Sequence, residues 1–93
     1  MNLSPETVAA CKAVFAVKRH SVHQIVELVA QETGIAANAI MGDSRRGPIV
    51  RARQIVMYEA HQRGLSLQQI GAAMGRHHTT ILHGIRAEQA RRG

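Results

Sequence analysis

The sequence predicts an all-α domain, a compact bundle of five to six helices that contains a helix-turn-helix, and three observations predict it. Apolar residues recur at helical spacing in successive segments, as with Val22, Ile25, Val26 and Val29. Two Ser-x-x-Gln capping boxes, Ser21/Gln24 and Ser66/Gln69, mark helix starts, and Gly34, Gly64 and Gly75 close the runs before them or after them. From Ser66 to His83 the chain reads SLQQIGAAMGRHHTTILH: a short helix, a glycine turn and a second helix without a gap.

In chain order, Ser4-Pro5-Glu6 supplies a cap, a first-turn proline and an acid at the positive end of an N-terminal helix. From Val8 to Val17 that helix is apolar on nearly every face, with Lys18-Arg19 at its negative end. It is expected to be either buried in the domain or covered by a partner or a second copy through residues 4–19. The next helix opens at Ser21, buries Val22, Ile25, Val26 and Val29 with Leu28 beside them, and ends at Gly34. Ala37 to Met41 reads as a short helical turn, and Gly42 to Pro48 (GDSRRGP) as a loop that exposes Arg45 and Arg46. A third long helix runs from Pro48 to Arg63, with Ile49, Ala52, Val56 and Ala60 inward and Arg51 and Arg53 pointing elsewhere. Leu67, Ile70 and Met74 are the apolar positions of the helix after Ser66. In the last helix Ile81, Leu82 and Ile85 face the core, leaving His78, Thr79, His83 and Arg86 outward.

Ninety-three residues, 45% of them hydrophobic, suit a single domain with one core (1–93), divided into an extra N-terminal helix over 1–20 and a main body over 21–90. The lone Cys11 excludes an internal disulfide and a cysteine-built zinc site, and no apolar stretch reaches the roughly 18 residues a bilayer span needs. Met1 to Thr7 holds Glu6 and no basic side chain, unlike a signal peptide, so a cytoplasmic, nucleoid-associated protein is expected.

The net charge of +6 is segregated. Residues 1–43 hold Lys12, Lys18 and Arg19 against Glu6, Glu27, Glu32 and Asp43; residues 44–93 hold nine arginines against Glu59 and Glu88. A half that basic attracts polyanions, and an all-arginine set suits phosphate oxygens and guanine edges, because the guanidinium is a planar fork. Phe15 and Tyr58 are the only aromatics, too few for the stacking platforms of single-strand binders. Duplex DNA is therefore the expected partner.

The chain resembles the C-terminal DNA-binding domain of the bacterial replication initiator DnaA over Val22 to Gln89. The resemblance rests on the loop Ser44-Arg45-Arg46, the helix Arg51-Ala52-Arg53-Gln54-Ile55-Val56-Met57-Tyr58, the stretch Ser66-Leu67-Gln68-Gln69-Ile70-Gly71, and Arg76 followed by His78-Thr79-Thr80-Ile81-Leu82-His83. It implies that Arg45 enters the minor groove beside the recognised box, where a narrow A·T-rich groove concentrates negative potential. It implies further that His78, Thr79 and Thr80 face bases or phosphates in the major groove, and that Arg53 and Arg76 clamp the backbone. With Arg46, Ser66, His77 and His83 these complete the expected DNA-binding set, and about five phosphate contacts would give a log–log salt slope of roughly −4.5.

Three departures from the family pattern bear on function. His77 stands where aspartate is usual; histidine is a poor expected cap, and it can donate to guanine where aspartate accepts from cytosine. The turn carries Gly75 alone where a glycine pair is common. No GxxxxGK(S/T) phosphate loop occurs in the 93 residues, so nucleotide binding and ATPase activity are not expected, and a stand-alone regulator is.

A metal site is not expected either. Adjacent His77 and His78 diverge by about 100° on a helix, His78 and His83 by about 140°, and Ser21 separates His20 from His23. No carboxylate pair or nucleophile–base set points to an enzyme, and no cofactor is implied. Asp43 and Glu59 read as solvated surface charges. The alternative function is a protein-interaction adaptor that works through the apolar N-terminal helix, with DNA binding secondary.

Overall fold

The computed structural model describes residues 21–93, so the expected N-terminal helix, with Cys11 and residues 4–19, lies outside the described residues. Five helices follow in order: α1 (Val22–Thr33), α2 (Ala37–Met41), α3 (Gly47–Gln62), α4 (Leu67–Met74) and α5 (His78–Arg92). Among the described residues there is no strand, and no helix is long and apolar enough to cross a membrane.

Both capping boxes form. Ser21 Oγ accepts from Gln24 N at 3.2 Å while Gln24 Oε1 accepts from Ser21 N at 2.8 Å; at Ser66 and Gln69 the matching distances are 3.0 and 2.8 Å. Each box satisfies two amide groups that a helix start otherwise leaves orphaned. α3 is the central strut, packed against α1, α2 and α5, and α4 closes the bundle chiefly against α5. The core is aliphatic: Val22, Ile25, Val26 and Val29 from α1, Ile40, then Ala52, Val56, Met57 and Ala60 from α3, with Ile70, Met74, Ile81 and Ile85.

The turn between α4 and α5 depends on two glycines. Gly75 takes the left-handed conformation (φ 67°), and Arg76 N then donates to Gly71 O at 2.9 Å. Gly71 is buried against that same turn: a Cβ there would meet Arg76 O at 2.5 Å. A single glycine in the turn is thus enough, because the second small residue is the one inside α4.

Four expectations about burial change. Arg53 is buried (7% exposed) rather than pointing away, and Met57, one turn later, joins it inside. Ile49 and Leu82 are only half-buried. Leu28 stays exposed, because α1 turns only its Val22, Ile25, Val26 and Val29 face toward α3. Glu88 is fully buried, which no apolar pattern announces.

Candidate nucleic-acid interface

The start of α5 is wholly exposed: His77, His78, Thr79 and Thr80 all face solvent, and so do His83 and Arg86 farther along. His77 is the N-cap. Its Nδ1 accepts from Thr79 N at 3.2 Å and sits 2.7 Å from Thr79 Oγ1. The expectation that histidine caps poorly is therefore corrected: an imidazole nitrogen does here what a carboxylate oxygen does in the family pattern. Because Nδ1 accepts an amide hydrogen, the ring proton belongs on Nε2, which leaves a donor on the outer edge of the ring. His78 lies against His77 with ring centroids 4.2 Å apart.

The second exposed element is the loop between α2 and α3. Arg45 and Arg46 are exposed, and Arg46 N donates to Ser44 Oγ at 3.3 Å. What holds this loop is internal. Arg53 reaches back from α3 and donates through Nε to Ile40 O (2.8 Å), with its two terminal nitrogens on Ser44 O (3.1 Å) and Ala39 O (3.4 Å). Burial, followed by the nearby positive charge of Arg76, presses the Arg53 guanidinium below its ordinary pKa, and Asp43 works the other way. Three of the five guanidinium N–H groups are so committed, and the side chain turns toward the loop rather than away from the domain as expected.

Arg76 plays a related part from the helix-turn-helix side. It donates to Gly42 O at 2.5 Å and to Met74 O at 3.1 Å, with Asp43 Oδ1 3.6 Å away. Arg76 therefore faces the loop more than it faces solvent. Ser66 spends its Oγ lone pair on the α4 cap, which leaves the hydroxyl proton free to donate.

Four of the expected residues border one cleft. A cleft of about 170 Å³ between α3 and α5 is lined by Arg53, Gln54, Arg76, Thr80 and His83, so the anchors of the arginine loop and the outer face of α5 border the same space. The remaining arginines divide sharply. Arg51, Arg91 and Arg92 surround Glu88 at 3.7, 3.1 and 2.9 Å; Arg63 pairs with Glu59 at 2.6 Å, and Arg92 also reaches Glu59 at 3.2 Å. Arg92 lies over the Tyr58 ring as well, 4.1 Å from its centroid. Glu59 is accordingly not the solvated surface charge expected, whereas Asp43 is. Among the described residues Arg45, Arg46 and Arg86 have no carboxylate partner, so the unpaired positive charge belongs to the loop and to the outer face of α5. No cluster of metal-ligating side chains occurs among the described residues.

The model of the bacterial dnaA protein helix-turn-helix matches residues 22–87. Curated relatives include the chromosomal replication initiator protein DnaA of Gloeobacter violaceus, 44% identical over 66% of this chain and 14% of its own length. The same protein of Herpetosiphon aurantiacus is 37% identical over 90% of this chain and 20% of its own, and that of Thermomicrobium roseum 41% over 66% and 14%. The chain thus spans a fifth or less of the length of these relatives. No solved structure matches it.

Proposed function

The chain belongs to the family of bacterial DnaA helix-turn-helix domains, and we propose that it binds double-stranded DNA sequence-specifically at initiator-type boxes. The reading places Arg45 in the minor groove and His77, His78, Thr79 and Thr80 in the major groove. Arg46 and Arg86 go to phosphates, and the Ser66 hydroxyl to a phosphate oxygen. The observation that carries it is the tie between two exposed elements: Arg76, next to the capped start of α5, bonds Gly42 in the loop that exposes Arg45 and Arg46. Threonine suits that position because its hydroxyl bonds base edges or phosphate and its methyl packs on thymine.

The reading extends to a regulator that acts by occupying its site, to repress, compete or organise, without catalysis. Its support is that the 93 residues offer exposed side chains suited to base edges and to phosphates. Replacing Thr79 by alanine is expected to cost about 1–3 kcal/mol of discrimination between a box duplex and a scrambled one. Titration of both duplexes by fluorescence anisotropy measures it, and an unchanged ratio removes Thr79 from the readout.

A further inference from the structure

Two arginines of this surface face the protein. α2 is only five residues long, and the carbonyls at its end and in the following loop have few backbone partners. Arg53 takes those of Ala39, Ile40 and Ser44; Arg76 takes that of Gly42. The first arginine belongs to α3 and the second to the turn that launches α5, so the first half of the loop is tied to the two elements that flank the recognition helix. Arg53 Nε to Ile40 O is a buried bond, and Ile40 itself has no exposure, which makes this end of the loop part of the core.

We infer that Arg53 and Arg76 are positioning residues that hold the Arg45 loop at a fixed offset from the start of α5, and so set the spacing between minor-groove and major-groove features that a DNA site must present. The inference rests on the DNA-binding reading above. A loop tied this way can follow one register only, because each guanidinium grips carbonyls in a planar fork that tolerates little displacement. Lysine at either position keeps the charge and loses the fork: one nitrogen cannot reach the three carbonyls that Arg53 bridges. Charge, net phosphate attraction and the α5 surface then stay as they are, while the offset loosens.

The test compares wild type with Arg53→Lys on three duplexes: a DnaA-type box, the box with one base pair inserted between its minor-groove and major-groove halves, and the box with its major-groove bases replaced. Amide exchange across residues 42–47 of the free protein is measured alongside by NMR. The expected result is exchange faster by about tenfold or more. The preference for the box over the inserted duplex should also fall by about tenfold, with the preference over the base-replaced duplex unchanged. A merely structural role lowers both preferences together. Parallel loss of both, or exchange and spacing preference both unchanged in a protein that prefers the box, overturns the inference alone. Equal binding of all three duplexes by wild type overturns the DNA-binding reading first and the inference with it. Should Arg53→Lys unfold below the assay temperature, Arg76→Lys carries the same measurements, since its guanidinium holds the loop from the half-exposed turn.

Discussion

His77 shows how one atom type substitutes for another at a helix start. Its Nδ1 accepts from Thr79 N and lies within hydrogen-bond distance of the Thr79 hydroxyl, so the cap also orients a residue of the proposed readout. Replacing His77 by alanine is expected to cost about 0.5–2 kcal/mol of stability, measured as a urea midpoint shift. Replacing it by aspartate, the family residue, keeps the cap and adds favourable charge at the helix N-terminus, about 0.3–1 kcal/mol. It also swaps an outward donor for an acceptor, so a random-library selection should shift from guanine toward cytosine at that step. The exposed readout residues were legible in the sequence because each falls off the Ile81–Ile85 face. Arg53 was not read correctly, although a signal existed: it stands four residues before Met57 and seven before Ala60, on the same stripe. Arginine is so rarely buried without a partner that charge outweighed spacing, and its partners are carbonyls, which no sequence pattern advertises.

At the scale of elements, helix boundaries followed the capping boxes and glycines closely, because those signals are local. Packing between elements was less legible. Gly71 and Gly84 both sit where helices approach, yet they differ in what a methyl group would meet. At Gly71 it meets the Arg76 backbone carbonyl; at Gly84 it meets the Met57 thioether, an unbranched side chain rather than backbone. Gly71→Ala is therefore expected to lower stability by about 1–3 kcal/mol through displacement of the helix-turn-helix turn, and Gly84→Ala by clearly less. Thermal melts of the two variants compare them, and equal losses would contradict the assignment. The short α2 was visible as a turn, but its dependence on Arg53 and Arg76 is a tertiary fact, made by residues 13 and 34 positions away from the carbonyls they hold.

Across the whole molecule, Glu88 divides the positive charge into a structural group and a free one. Burial works against its ionisation, but hydrogen bonds from Arg92 and Arg91, aided by the charges of Arg92 and Arg51, prevail and hold the carboxyl below the usual range. A carboxyl depressed on folding stabilises the protein above its unfolded pKa, and that contribution is lost as pH falls through the folded value. Glu88→Gln should thus cost about 1.5–3 kcal/mol near neutral pH, and the gap from wild type should narrow in acid. Urea titrations at pH 7 and pH 3 measure it; a gap that is the same at both contradicts the role of the charge. The segregated charge of residues 44–93 was plain in the sequence, but its division was not, because Glu88 lies among polar residues at the end of α5. The two arginines assigned to phosphates, Arg46 and Arg86, contribute about −1.8 to the log–log salt slope, shallower than the roughly −4.5 that five phosphate contacts would give.

Sequence-specific duplex binding is tested most directly by fluorescence anisotropy of the protein on a DnaA-type box and on a scrambled duplex of the same composition, at physiological salt. The box should bind tighter by about a hundredfold or more, a threshold set below the roughly 10³–10⁷ specific-to-non-specific range of DNA-reading proteins. Equal affinity for the two duplexes, with the same salt slope, would contradict the proposed readout and leave only electrostatic attachment.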